Sequence, residues 1–360
     1  MALTPTNPKN VLEKNSGPHG IVAGSTHFND VWARDALFSS WGALHSSLTE
    51  PVRTTLDILT KYQHNGQIPL RVGTKNIVLA LVGKPGKQGP VYSNDKSSDP
   101  ALDPNTLYII TLWRFAKNDP HYVRRHEENI RQALGWLETH EHNNLLREKP
   151  YCSWDDALRK KGASIYNNAL YYAALIAAAI MLRDETLHDK AQRVRAQVQE
   201  ELWNEEYYNA WEGKKVLDVA GNLLAIYTGL AKGKEQTILE SIMSAKKEAK
   251  DTLPKTNYPK YSFGDVYPPF YALGMADYHN SGPYWSWIAA LEALVRAEHG
   301  QKGIARALLD ELKANNARSQ GIWEIYDSEG QPIKRLAYTS EKDFSWTAGM
   351  MLLAEHETFK

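Results

Sequence analysis

Asp156 and Glu324 are the side chains of this sequence best suited to acid–base chemistry. The first ends Ser153-Trp154-Asp155-Asp156; the second sits in Trp323-Glu324-Ile325-Tyr326-Asp327. Each lies between two helical stretches, with aromatic rings close by. Two carboxyls in such settings are what cleavage of a glycosidic bond needs: one protonates the leaving oxygen, the other activates water or attacks the anomeric carbon. Indoles such as Trp154 and Trp323 would limit water access and raise the pKa of an adjacent acid by desolvation. A carboxyl separation of about 6.5–9.5 Å would go with inversion, and about 5–5.5 Å with a covalent intermediate. Both residues also have plainer readings. Asp156 suits a solvated loop or a helix N-cap, and the turn signal Asp327-Ser328-Glu329-Gly330 makes Glu324 equally at home at a surface turn. On residue type alone Asp155 competes with Asp156.

A second constellation is Trp32-Ala33-Arg34-Asp35. An Arg–Asp pair could fork onto sugar hydroxyls or form a structural ion pair. His279 suits a hydroxyl ligand or a satisfied polar side chain. Trp285 and Trp287 suit a stacking platform, although core packing fits Trp287 equally. The 11 Trp and 19 Tyr against 7 Phe favour rings with a flat apolar face and a hydrogen-bonding tip, the mixture a sugar cleft uses.

These residues need elements to position them. Six strongly apolar stretches read as helices: Val31–His45, Asn105–Ala116, Ile165–Leu182, Val219–Ala231, Tyr284–Glu298 and Phe344–Glu355. Amphipathic, charge-rich stretches alternate with them: Pro51–Gln63, His121–Thr139, Glu185–Leu202, Lys234–Lys250 and Gln301–Ala314. Asn7–Asn15 supplies a possible sixth. The polar helices carry one apolar stripe, as in Ala191, Val194, Val198 and Leu202. Strand signals are few, such as Ile77–Val82. Apolar helices forming an inner ring, covered by amphipathic ones, predict an all-α (α/α)6 barrel with a period of about 55–60 residues, longer than common helical solenoid repeats. An open solenoid is the alternative. No Pro/Gly/Ser-rich linker divides the chain, which predicts one domain over residues 1–360. The segments ahead of the apolar helices collect the unusual residues: Arg34 and Asp35, Asp103, Asp156, Asp218 and Asn222, His279, and Glu341 to Trp346. Parallel inner helices would bring all six segments to one mouth. N-caps explain such residues singly; they do not explain the neighbouring Trp.

Composition narrows the classes. The chain has 360 residues, 42% of them hydrophobic, enough for a sizeable core. Lys+Arg and Asp+Glu are 42 each, so no net charge argues for nucleic acid or an anionic membrane. Cys152 is the only cysteine, so no intrachain disulfide forms and a cytoplasmic location is expected. No Cys/His cluster has zinc spacing, so no metal or organic cofactor is expected. MALTPTNPKN lacks an apolar signal core. The longest apolar run, Ala169–Leu182, is short and Tyr-containing for a membrane span and reads as a buried core helix.

In order along the chain, several segments resemble the amylo-α-1,6-glucosidase domain of glycogen debranching enzymes and, more broadly, the glucoamylase, processing α-glucosidase and neutral invertase group of (α/α)6 glycosidases. Asp30-Val31-Trp32-Ala33-Arg34-Asp35-Ala36-Leu37 resembles their aromatic-x-Arg-Asp entry to an inner helix. Asn65-Gly66-Gln67-Ile68-Pro69 resembles a Gly-x-Ile-Pro loop, and Asp103-Pro104-Asn105-Thr106-Leu107-Tyr108 an Asp-Ala-x-Leu-Trp segment. Ser153-Trp154-Asp155-Asp156-Ala157 is similar to the Thr-Trp-Met-Asp-Ala motif of the general acid, a register that selects Asp156 over Asp155. Tyr166-Asn167-Asn168-Ala169-Leu170 resembles Glu-x-Asn-Ala-Leu, and Trp323-Glu324-Ile325-Tyr326-Asp327 the motif of the catalytic base. The resemblance implies an inverting glycoside hydrolase acting on an α-linked glucoside or related small sugar conjugate. Asp156 would be the acid and Glu324 the base. Trp32, Arg34, Asp35, Asp103, Trp154, Asp155, Asn168, His279, Trp285 and Trp323 would hold the substrate. Two departures stand out: Asn167 falls where the family has a carboxylate, and Gly282-Pro283-Tyr284-Trp285-Ser286-Trp287 replaces Gly-x-Val-Trp-Pro-Trp. They bear on glycogen specificity more than on the chemistry. A sucrose or mannoside hydrolase, a sugar epimerase using His27 and His279, and a non-catalytic sugar-binding protein remain open. The oligomeric state is not legible.

Overall fold

A computed structural model describes residues 4–74, 88–117 and 119–360. The expected strand at Ile77–Val82 lies outside the described residues. In chain order the helices are α1 (Pro8–Lys14), α2 (Ala33–Leu44), α3 (Thr49–Lys61), α4 (Asp103–Ala116), α5 (Pro120–Glu138), α6 (Ile165–Leu182), α7 (Glu185–Leu202), α8 (Val219–Tyr227), α9 (Glu235–Ala249), α10 (Pro269–Ala272), α11 (Ser286–Glu298), α12 (Lys302–Ser319) and α13 (Ser345–Phe359). Short antiparallel strands fill the connections.

The apolar helices pack on one another. α2 lies against α4, α4 against α6, α6 against α8, α8 against α11, α11 against α13, and α13 against α2. The amphipathic helices cover them: α3 on α2, α5 on α4, α7 on α6, α9 on α8, α12 on α11 and α1 on α13. The stripe on α7 works as its spacing requires, since Ala191, Val194, Val198 and Leu202 are the buried residues of that helix. α6 shows the other kind of helix. It is long and apolar enough to cross a membrane, yet two-thirds of it (67%) is buried inside the protein. One hydrophobic core runs from Val11 to Ala354, and a satellite forms around Trp211 and Tyr261. At the seam of α2 and α13, Gly42 meets Gly349: a Cβ on Gly42 would stand 1.8 Å from the Gly349 carbonyl oxygen. The lack of side chains there lets the two backbones touch.

Among the helix starts that differ from expectation, two come later because the chain ahead of them is extended. Val31–Trp32 and Tyr284–Trp285 are extended, pairing with Arg71–Val72 and Ile325–Tyr326. β-Branched and aromatic residues suit such paired, half-buried positions, and the helices begin after them, at Ala33 and Ser286. α8 ends at Tyr227, because the chain turns at Gly229 with φ 80°.

A buried polar residue in the first turn or two of successive inner helices ties each to the connection beside it. Asn105 of α4 accepts from Ile68 N at 2.9 Å and donates to Gly66 O at 2.9 Å. Asn168 of α6 accepts from Leu146 N at 2.9 Å and donates to Leu146 O at 3.1 Å. Asn222 of α8 does the same with Tyr208, at 2.8 Å both ways. Ser286 donates to Trp323 O at 2.7 Å, and Ser345 to Val22 O at 2.7 Å. These bonds satisfy backbone groups that burial would otherwise strand. They also fix the loops that carry the chemistry-bearing side chains.

Candidate active site

Asp156 and Glu324, 168 positions apart, line the same cavity of about 120 Å³. Trp154 and Trp285 share the wall with His279 and Tyr278. Trp32, Arg34 and Asp35 contribute from the start of α2, Phe28 from the loop before it, and Phe344 and Trp346 from the start of α13. The cavity therefore sits where the N-terminal ends of inner helices meet. A much larger groove, about 880 Å³, runs beside α9. It is open, lined by Glu206, Glu240 and Glu248 with Tyr207 and Tyr258, and has no indole among its lining residues.

Backbone pairing on two sides fixes Glu324. Its N–H donates to Glu341 O at 3.0 Å, and its carbonyl accepts from Ser286 N at 3.0 Å. The side chain points inward, with the residue 4% exposed. Glu324 Oε2 accepts a hydrogen bond from the Tyr338 hydroxyl, and Glu341 N lies 3.5 Å from the same oxygen. Burial pushes the Glu324 carboxyl up to about 8; the Tyr338 bond opposes the rise, and the nearby Asp35 charge adds to it. Asp35 is itself buried and pushed up to about 7, held back by Arg34.

Asp156 is more open, its side chain one-third exposed, and Lys96 Nζ stands 2.5 Å from its Oδ2. His279 Nδ1 lies 3.9 Å from Oδ1. That nitrogen accepts from Ala157 N at 3.3 Å, which puts the ring proton on Nε2. Burial and the cations Lys96, Lys160 and Arg34 drive His279 well below its ordinary pKa, so it is neutral. Its ring stacks on Trp285 at 4.6 Å and meets Trp154 edge-on at 5.3 Å. The Trp285 indole donates to Tyr278 O at 2.9 Å, locking the platform. Trp287 is wholly buried and stacks on Trp346 at 4.1 Å beneath it.

Trp32, Arg34, Asp35, Trp154, His279 and Trp285 thus join the two acids at the cavity. Asp103, Asp155, Asn168 and Trp323 are not among its lining residues. Asp103 is taken up behind the wall: Arg34 grips it with two donors, and the Tyr166 hydroxyl donates at 3.1 Å. Burial alone would lower the Arg34 pKa; the Asp103 carboxylate carries it above its ordinary value. Asp155 faces away from the cavity onto Lys160, 2.7 Å off, which also holds Asp218 at 2.7 Å. Burial pushes Asp155 up to about 6 against the pull of Lys160. Asn168 is a clamp like Asn105 and Asn222, and the Trp323 indole donates to Ser319 O at 3.2 Å. Sequence reasoning did not single out Phe28, Tyr278, Phe344, Trp346, Lys96 or Tyr338. Phe344, Trp346 and Tyr278 lay in the pre-helix segments that already held the other candidates, so their position was a usable signal. Tyr338 and Lys96 sit in segments with no periodicity or motif to mark them. Among the described residues, no group of His, Cys, Asp and Glu could hold a metal ion.

No family model matches the sequence, and no curated protein matches it. Solved structures match it in fold. A GH63 mannosylglycerate hydrolase from Thermus thermophilus, in complex with Tris and D-glycerate, superposes with a TM-score of 0.70 at 16% identity, over 96% of this chain and 98% of that one. The chain has the fold of a glycosidase. A second glycosidase, a variant in complex with glucose, gives 0.69 at 14% identity over 98% of this chain and 95% of that one. A bacterial glucoamylase in complex with acarbose gives 0.68 at 14% identity, over 98% of this chain and 55% of the longer partner. The likeness spans nearly the whole chain in each case.

Proposed function

We propose that this chain is a single-domain, closed (α/α)6-barrel glycoside hydrolase that cleaves an α-glucosidic or related bond of a small glycoside with inversion. The observation that carries the reading is the convergence of Asp156 and Glu324 on one aromatic-walled cavity. Closure is supported by the cycle of inner-helix contacts that returns from α13 to α2. The fold shared with glycosidases supports the reaction class. The cavity is small beside the roughly 300–1,000 Å³ of drug-sized ligand pockets, which favours a single sugar ring removed from a chain end or a small conjugate.

In this reading Asp156 gives its proton to the leaving oxygen as the C–O bond breaks. Glu324 takes a proton from the water whose oxygen bonds to the anomeric carbon on the opposite face. The products are a sugar of inverted configuration and a free alcohol; solvent then returns a proton to Asp156 and takes one from Glu324. His279, neutral, carries an Nε2–H without a partner among the described residues and offers a donor to a sugar hydroxyl. Trp154 and Trp285 supply apolar faces for the ring. Lys96 beside Asp156 favours an acidic leaving group such as a hydroxy acid, in keeping with the D-glycerate bound to the Thermus enzyme.

One observation favours the reverse assignment. Glu324 is pushed up to about 8, which suits an acid, while Asp156 faces a cation. Glycosyl fluorides separate the two, because fluoride leaves without a proton. Asp156→Asn should lose hydrolysis of an aryl or natural α-glucoside yet keep turnover of α-glucosyl fluoride; Glu324→Gln should lose both. The opposite pattern exchanges the roles. Full activity in either variant removes the pair altogether, and no cleavage by the unaltered protein across a broad glycoside panel leaves a sugar-binding protein.

A further inference from the structure

We infer that Tyr338 is a positioning residue for Glu324: its hydroxyl holds Oε2 of the carboxylate and turns the other oxygen toward the water to be activated. This rests on the reading of Glu324 as the base. Glu324 is buried and, among the described residues, has no Lys, Arg or His at ion-pair distance. A buried carboxylate without a cation stays ionised only through hydrogen bonds donated to it. Two donors are present and both address Oε2, the Tyr338 hydroxyl and the longer Glu341 N–H. The other groups facing it are acidic or phenolic. Asp35 comes from α2, Tyr278 from the segment before α11, and Glu341 from the segment before α13. Glu341 is occupied by Thr26 and His27. Tyr338 is therefore the principal support for charge on Glu324.

The surrounding structure holds that hydroxyl in place. Tyr338 lies on a two-stranded hairpin in which Arg335 pairs with Tyr338 and Lys334 with Thr339. Arg335 grips both oxygens of Asp277 and donates to Gly274 O at 3.0 Å. The Tyr338 ring meets Tyr278 edge-on at 4.8 Å. Ser340, two residues on, bonds Ile333 O through its N–H and Ile325 N through its hydroxyl. The hairpin is thus tied both to the Glu324 strand and to the segment leading to Tyr278 and His279. Glu324 faces a hydroxyl delivered by its own neighbourhood, and the oxygen it leaves free is the one available to water.

The test is Tyr338→Phe, which keeps the ring and removes the donor. A hydrogen bond to a charged group corresponds to about one to two pKa units. Losing it raises the Glu324 pKa, so the acid limb of the pH profile of kcat/KM should move up by about one to two pH units. Near neutral pH kcat should fall about tenfold or more, with KM within about twofold. A uniform loss at all pH values, with the limb in place, means a purely structural role and overturns the proposal, as does unchanged kinetics. Movement of the alkaline limb instead would make Glu324 the acid, and full activity in Glu324→Gln would remove Glu324 from catalysis; either result fells the underlying reading rather than the contact. If Tyr338→Phe does not fold, Arg335→Met frees the hairpin without touching the phenol, and the same limb should move in the same direction; an unmoved limb overturns the proposal.

Discussion

The two ends of the inner helices are built from similar residues and do different things. At the N-terminal end, Asp156, Glu324, Asp35 and Arg34 gather around Trp32, Trp154 and Trp285. At the C-terminal end, a cavity of about 200 Å³ is lined by Trp41, Trp113, Tyr227 and Arg114 with small and aliphatic residues of α6. Both have indoles and a guanidinium. At the far end the cation stands over two rings: Arg114 sits over Trp41 at 4.4 Å and over Tyr227 at 5.3 Å, and donates to the Tyr227 hydroxyl at 2.9 Å. It belongs to the last turn of α4, where a positive charge complements the helix dipole. At the mouth Arg34 is in the first turn, the wrong place for its charge, and Asp103 neutralises it. The mouth gathers two carboxyls whose burial works against ionisation, Asp35 and Glu324, whereas the lining of the far cavity holds a cation over aromatic rings. Groups held in environments that do not suit their resting charge cluster at sites of chemistry, and of the two ends only the mouth, among the described residues, has two of them facing one cavity.

The comparison is most exposed to removal of either acid. A positioned general acid or base contributes about 10²–10⁴ in rate. We expect Asp156→Asn and Glu324→Gln each to lower kcat/KM for a glycoside with a poor leaving group by that factor, with far-ultraviolet circular dichroism unchanged. Activity within tenfold of the unaltered protein would show that the mouth is no more catalytic than the far end.

Next in size is Lys160. It is 1% exposed and bridges Asp155 to Asp218, the N-cap of α8, whose Oδ1 accepts from Gly221 N at 3.0 Å. Lys160→Met would leave two buried carboxylates facing each other. Removing one partner of a buried ion pair costs about 3–5 kcal/mol, and denaturant unfolding near pH 7 should show a loss of that order. The loss should shrink in acid, where the abandoned carboxyls take up protons. A stability cost that does not depend on pH would mean that Lys160 matters only for its packing.

Burial of acids at the mouth has a further consequence for stability. Glu324 is pushed up to about 8 from an ordinary value of 4.5, so the folded protein binds its proton more tightly than the unfolded chain. Stability from this group is therefore fully present below about pH 4.5 and lost as pH rises toward 8. A neutral isostere removes that loss. Glu324→Gln should melt higher than the unaltered protein at pH 8–9, by a few degrees for a shift of a few kcal/mol, with the difference vanishing near pH 4. An inactive variant that is also more stable in alkali would show that the site holds its acid at a cost to the fold; equal melting at pH 9 would refute it.

How much of this was legible in the sequence depends on what kind of signal each part leaves. The bounds of α6 and α7 match the periodicity residue for residue, because each keeps one pattern from cap to cap. Asp156 and Glu324 could be found because both stand beside indoles in the non-helical segments. The role of Asn168 is not legible in the sequence for a physical reason. A buried asparagine one turn into an inner helix looks the same whether it binds sugar or clamps a strand, and only its bonds to Leu146 decide. Asp103 and Asp155 are similar: their partners, Arg34 and Lys160, are 69 and five positions away, and no local pattern announces the pairing. Tyr338 is the opposite case, a functional candidate in a hairpin whose neighbours carry no motif. Its only signal is the bond to Glu324.

The smallest expected effect lies at the far end. Arg114→Met keeps the bulk of the side chain over Trp41 and loses the charge. Cation–π contacts contribute about 0.5–1 kcal/mol at exposed sites and about 2 when desolvated, and the bond to the Tyr227 hydroxyl adds a further contribution. We expect a destabilisation of about 1–3 kcal/mol, with kcat and KM within twofold of the unaltered protein. The far end shares no lining residue with the mouth, and α2, α4, α6 and α8 connect the two only as packed helices. A change in the pH limbs of kcat/KM on this substitution would show that charge at one end of those helices is felt at the other. The division of labour between the two ends would then be one of degree, carried by the inner helices themselves.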